Sequence, residues 1–281
     1  MEHLGFFEHW LIWRDAMIVA ILSAVTLGYL GVWIVLRQVV FVPLALSQVS
    51  SFGLVLSAFI GSLIGSGGAH AHESGEVFEG LLLSILASVL LGLWLARPKE
   101  ERAQAVVSAY IIASAGVLLV GNLVTQELQD IEAVLFGSAV LVETYQVFIV
   151  GAAALLVGLI HVLYYRRFLF VSFDVDAAGA SGVPVFFTEA LLMSSFAVMI
   201  AVVTQAIGAL CAFGFMILPG MFGLRIASNL RMAFISATVL GLVSASVGYY
   251  VSFRFDTPTG ATMVGVAALG YLLSLAKHKT L

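Results

Sequence analysis

GALCAFGFMILPGMFGLRIASNLRMAF, residues 208–234, is the stretch whose reading decides the fold class. From Gly208 to Leu224 it carries no charge, and then Arg225 and Arg231 arrive with Asn229 between them. An uncharged run of this length suits a bilayer, where roughly 20 apolar residues make one helical crossing. Pro219 removes a backbone donor and Gly220 relaxes the chain, so the pair predicts a break in the helix near one membrane face. The residues beyond it, MFGLRIASNLR, are short, mildly amphipathic and basic, and predict a separate helix lying along that face. An ordinary interfacial loop with lipid-anchoring arginines fits the same residues.

The whole chain has the same character. Its 281 residues are 62% hydrophobic and 10% charged, with a mean hydropathy of +1.11. A soluble domain carries about 25% charged residues, so this chain lacks the polar surface to coat a water-soluble globule and is expected to be an integral membrane protein. The net charge of −4 gives no electrostatic footprint for nucleic acid. Cys211 is the single cysteine, which excludes an intrachain disulfide and a cysteine zinc cage. The opening MEHLGFFEHWLIWRD carries acids where a signal peptide carries a basic region.

Apolar runs predict nine membrane helices in a single transmembrane domain covering residues 1–281: 16–36, 44–64, 78–96, 103–121, 144–165, 185–204, 206–224, 232–253 and 260–276. Only Gln205 and Gly208 mark a turn between the sixth and seventh, so eight spans is the alternative count. The run within 133–142 is too short to cross and reads as an interfacial helix. With the N-terminus outside and the C-terminus cytoplasmic, ten of the twelve basic residues fall inside, leaving Arg14 and Arg254 outside. The same orientation collects most acids on the outer face, where they would favour arriving cations.

GSGGAHAHESGE, residues 65–76, would then be an outer loop. His70, His72 and Glu73 are a candidate loose site for a divalent cation, although a glycine-flanked hydrophilic turn explains the same residues. The spans are nearly free of ionisable groups; His161 and Glu189 lie near inner ends. That leaves no carboxylate or histidine relay for a coupled proton, no phosphate-binding loop and no catalytic motif. The chain reads as a transport subunit, not an enzyme, and any uphill work must be driven by another polypeptide. Small residues recur at four-residue spacing at Ser84, Ser88 and Gly92, at Ser244 and Gly248, and at Ala261 and Gly265. They are expected chiefly to let helices pack closely in lipid. Ser47, Gln48 and Ser51 open the second span; they can pack between helices or line a hydrated path.

Residues 207–268 resemble the C-terminal half of the zinc/manganese (ABC-3 type) permeases of bacterial ABC importers. The shared features are the glycine-initiated span running into LPG, the arginine-bearing loop, and an aspartate followed by PTGAT. RRFLFVSFDVDAAGASGVPV resembles the family's inner loop, and FGSAVLV its outer stretch. The resemblance implies a permease in the inner membrane that pairs with a second copy and needs no cofactor of its own. A cytoplasmic ATPase would burn ATP and push on the loop matching Gly220–Arg231, marked by Pro219, Gly220, Arg225, Asn229 and Arg231. An extracytoplasmic binding protein would deliver the metal. Family members carry an aspartate and a histidine in a DALSHA-like stretch; here it reads LALSQV, with Leu44 and Gln48 at those two positions. A leucine cannot bind a cation and glutamine is a weak neutral ligand. The expected function is import of a divalent metal, zinc ahead of manganese or iron. A permease for a siderophore, haem or cobalamin, and a passive channel or scaffold, are the rivals.

Overall fold

The computed structural model describes residues 10–64, 74–96, 102–124 and 142–276. The described chain is helical throughout: α1 (Trp10–Leu36), α2 (Val42–Ile64), α3 (Ser74–Leu95), α4 (Arg102–Val124), α5 (Thr144–Phe173), α6 (Val175–Ala180), α7 (Val185–Ile207), α8 (Ala209–Ile226), α9 (Leu230–Phe255) and α10 (Thr259–Ala276). Nine of these are long and apolar enough to cross a membrane, the exception being the six-residue α6. The chain is a multi-pass membrane protein, and the nine spans expected from hydropathy are present among the described residues. The sixth and seventh are separated by Gly208 alone, whose φ of 90° lies in the left-handed region that favours glycine. The alternative of eight spans is therefore set aside. The apolar run within 133–142 lies outside the described residues, apart from Val142.

In lipid, hydrophobicity gives helices no reason to associate, so close backbone approach has to supply the cohesion. Glycine does this where α1 crosses α8. A Cβ on Gly31 would fall 1.7 Å from the Met216 carbonyl oxygen, and one on Gly220 would fall 2.5 Å from the Gly31 carbonyl carbon. Gly241 meets the Ala24 carbonyl in the same way, bringing α9 onto α1 beside α8. Of the small-residue stripes, Gly248 packs onto Met263 and joins α9 to α10. Ser84 bonds Ser50 at 2.5 Å and joins α3 to α2. Gly265 faces open space, and so does not pack within the chain. The centre is α7, whose Leu192, Met193, Phe196, Met199 and Ile200 are fully buried. The rim is α4, α5 and α10, which turn Ile112, Leu119, Leu155, Leu163 and Leu273 outward, as lipid-facing helices do.

The break expected at Pro219-Gly220 does not occur. α8 runs unbroken through both residues to Ile226, and no separate surface helix forms over residues 221–231. Three residues, Ala227 to Asn229, join α8 directly to α9. The reason is tertiary. Pro219 and Gly220 are both buried, and the Gly31–Gly220 contact clamps α8 against α1 at that level. Packing of this kind holds a helix through a proline that would break it in isolation.

Candidate functional site

The start of α2 builds the first site. Pro43 occupies the first helical turn, where its missing N–H is no loss. From there Leu44, Ser47, Gln48 and Ser51 follow at i, i+3, i+4 and i+7 along one helix face. Leu44, Ser47 and Gln48 line a cavity of about 290 Å³. Tyr110 and Ser114 of α4 form a second wall, and Ala209 and Phe213 at the start of α8 a third. Ser51 does not line it and is buried among the helices.

The polar groups of this cavity are neutral. The Ser47 hydroxyl donates to the Leu44 carbonyl at 2.9 Å. Among the described residues, Gln48 Oε1 and Ser114 Oγ are buried atoms without a hydrogen-bond partner, an uncommon state that a ligand or water would relieve. None of the lining residues is Asp, Glu, His or Cys. Among the described residues, no group of three such side chains comes together to hold a metal. The doubt that Leu44 and Gln48 raise in the sequence is thus a property of the whole pocket.

The second feature escaped sequence reading. Where α1 turns into α2, Arg37 forms an ion pair with Glu189 of α7, and Arg102 at the start of α4 stands 3.8 Å from the other carboxylate oxygen. The Arg37, Glu189 and Arg102 side chains are only 4%, 5% and 8% exposed. Arg37 also reaches Ser172 Oγ at 3.5 Å, so one cluster fastens the α1–α2 turn, α4, α5 and α7 at the same end of the bundle. The sequence contained one signal, a lone glutamate inside an otherwise apolar span. It gave no hint of partners, which lie up to 152 residues away. His161 is also enclosed. It sits against Tyr29, Trp33, Phe168 and Phe196 and meets Ser195 Oγ through Nε2 at 2.9 Å.

The residues marked as a coupling loop have identifiable structural work. Pro219 and Gly220 are inside α8. Arg225 donates from Nε to the Ser274 carbonyl at 3.0 Å and from a terminal nitrogen to Leu275 at 3.5 Å, satisfying carbonyls in the last turn of α10. Asn229 caps α9 by accepting the Met232 N–H at 3.0 Å. Arg231 is exposed in the first turn of α9. At the same end, α6 is a short helix outside the spans, capped by Asp174, which accepts the Ala177 N–H at 2.8 Å. It connects α5 to α7, and Phe173, Phe186 and Phe187 beside it are exposed. The candidate cation ligands His70, His72 and Glu73 lie outside the described residues.

Comparison with known proteins gives consistent results. A family model described as the ABC 3 transport family matches residues 10–278. The manganese transport system membrane protein MntC of Halalkalibacterium halodurans is 27% identical over 261 residues, covering 93% of this chain and 85% of the relative. The chelated iron transport system membrane protein YfeD of Yersinia pestis is 26% identical over 265 residues, covering 93% and 84%. Among solved structures, a chain of PsaBC from Streptococcus pneumoniae in complex with Fab superposes with a TM-score of 0.75 at 22% identity, covering 95% of this chain and 91% of that one.

Proposed function

Because the chain belongs to the ABC 3 transport family, we propose that it is the membrane-spanning permease subunit of an ABC importer for a divalent transition metal. A separate ATPase drives it and an extracytoplasmic protein delivers the cargo. The observation that carries this reading is the half-open cavity on α2, α4 and α8 inside a nine-span bundle. It gives a path, while the spans contain no relay for ion-coupled transport. The relatives' names favour manganese or chelated iron over the zinc expected from sequence, so manganese is placed first. A second copy of the chain completes the path, in the inner membrane.

The end carrying Arg37, Arg102 and Arg231 is the cytoplasmic one, by the excess of basic residues there. The ATPase docks on that face, against α6 and the joint Ala227–Asn229, the segments that lead into α7 and out of α8. His70, His72 and Glu73 act as an outer capture element. His70→Ala with His72→Ala is expected to lower uptake about twofold at limiting metal and not at saturation, the range of one loose neutral ligand pair.

The test is reconstitution of the chain with its ATPase and binding protein in liposomes, followed by measurement of ATP-dependent metal uptake. Accumulation of manganese, zinc or iron is the expected result. No uptake of any transition metal overturns the proposal, and so does accumulation driven by a proton gradient with the ATPase absent.

A further inference from the structure

We propose that the Gln48 cavity passes its metal with an oxygen shell in place, binding the shell and not the metal. This rests on the permease reading and names the form in which the cargo crosses.

A naked dication leaving water needs carboxylate, imidazole or thiolate ligands to replace its hydration. The cavity offers Ser47, Gln48, Tyr110 and Ser114, all neutral, among apolar walls from Leu44 and Phe213. A second copy of the chain would add another neutral set. Helix α8 begins at this cavity without a side-chain cap, so its first N–H groups turn partial positive charge toward the space. A bare cation is disfavoured on both counts.

An oxygen shell removes the first objection, because the metal keeps its ligands and only the outer face of the shell exchanges partners; a shell of anionic carboxylates removes the second as well. Six coordinated waters occupy roughly 180 Å³, and the cavity of about 290 Å³ accommodates them. The Gln48 Oε1 and Ser114 Oγ atoms, buried and unpartnered, are suited to hydrogen-bond the outer face of such a shell. Waters of the shell donate to the Gln48 and Ser114 oxygens, and the carboxylate oxygens of an organic shell accept from the Ser114 hydroxyl and the α8 N–H groups. The shell is either water or a small organic chelator rich in oxygen.

Recognition through the shell is indifferent to which metal lies inside, and this distinguishes it from direct ligation, where affinities follow the order of the divalent series. The experiment uses the assembled importer in proteoliposomes, with Gln48→Leu plus Ser114→Ala as the variant. Wild-type yield of the assembled complex and an unchanged thermal midpoint establish that the variant is folded. Uptake is measured for manganese, zinc and iron(II), each as the aqua ion and each with excess labelled citrate.

The expected result is a loss of about tenfold, from two hydrogen bonds at roughly 1 kcal/mol each, by the same factor for all three metals. Citrate entering with the metal identifies an organic shell, and metal entering alone identifies water; either result keeps the shelled cation. A loss confined to one metal, or graded along the divalent series, overturns the inference in favour of direct ligation. Unchanged uptake of every metal overturns it by removing the cavity from the path. A wild-type importer that carries no metal sinks the permease reading instead. If the double variant fails to assemble, Gln48→Leu and Ser114→Ala are each measured alone; a loss confined to one metal in either single variant also overturns it.

Discussion

The turn into α2 and the first turns of α2 itself are neighbours in the chain and opposites in electrostatics. At the turn, Arg37, Glu189 and Arg102 are all nearly buried and all charged. Slightly further along, Leu44, Ser47 and Gln48 line a cavity with nothing charged. Burying an ion is costly unless partners surround it, and the arginine–glutamate cluster meets that condition while fastening the α1–α2 turn to three helices. The contrast teaches that this chain tolerates charge where it fixes the bundle and excludes it where cargo would pass. A strong fixed charge in the path would hold a dication as readily as admit it.

The largest effect is expected from breaking the charged side of this contrast. Glu189→Leu leaves two buried arginines with their shared carboxylate gone, and loss of one partner of a buried pair typically costs about 3–5 kcal/mol. A marked fall in thermal midpoint and in purified yield is expected in detergent. Adding Arg37→Leu to Glu189→Leu removes an unpaired charge, so the double variant should be more stable than Glu189→Leu alone. A double variant as unstable as the sum of the singles would mean that the pair contributes nothing through its charge.

The neutral side can be sharpened by adding what it lacks. Leu44→Asp places a carboxylate in the cavity, at a position where α2 is only partly buried. The added ligand should convert metal-blind passage into selective holding. Uptake of zinc relative to manganese is expected to change by about tenfold, because direct ligation discriminates along the divalent series. The measurement is the uptake ratio of the two metals by the assembled importer. An unchanged ratio would show that position 44 does not meet the cargo.

Much of the fold was legible because a bilayer imposes a one-dimensional rule: apolar length fixes the spans, and glycine at 208 fixes the turn that hydropathy alone left open. Ser47 and Gln48 were legible for the same reason, since polar residues opening a span stand out, and helical spacing puts them on one face. What failed was inference across the chain. Pro219 was read by the rule for an isolated helix, and the clamp that overrides it comes from Gly31, far off in sequence. Glu189 was noticed and left alone because its partners lie on other helices. Ser51 shares the helix face of Leu44, Ser47 and Gln48, but it lies one turn further along, where it is fully buried and does not line the cavity.

The smallest effect bears on the face below both regions, where Arg225 and Arg231 were read together as docking charges. The structure separates them. Arg225 is tied to the last carbonyls of α10, so reversing its charge disturbs α8–α10 packing as well as any docking. Arg231 is exposed at the start of α9, where a cation gains nothing from the helix dipole, and it forms no side-chain hydrogen bond among the described residues. Arg231→Glu should therefore leave the thermal midpoint nearly unchanged, within the roughly 0.5 kcal/mol typical of surface substitutions. If the ATPase docks here, the same change weakens its co-purification a few-fold, and more at low salt than at high salt, as screened surface charges require. Co-purification that is indifferent to Arg231→Glu at low salt would move the docking surface off the α8–α9 joint and onto α6, where Asp174 and the exposed Phe173 would be the next residues to change.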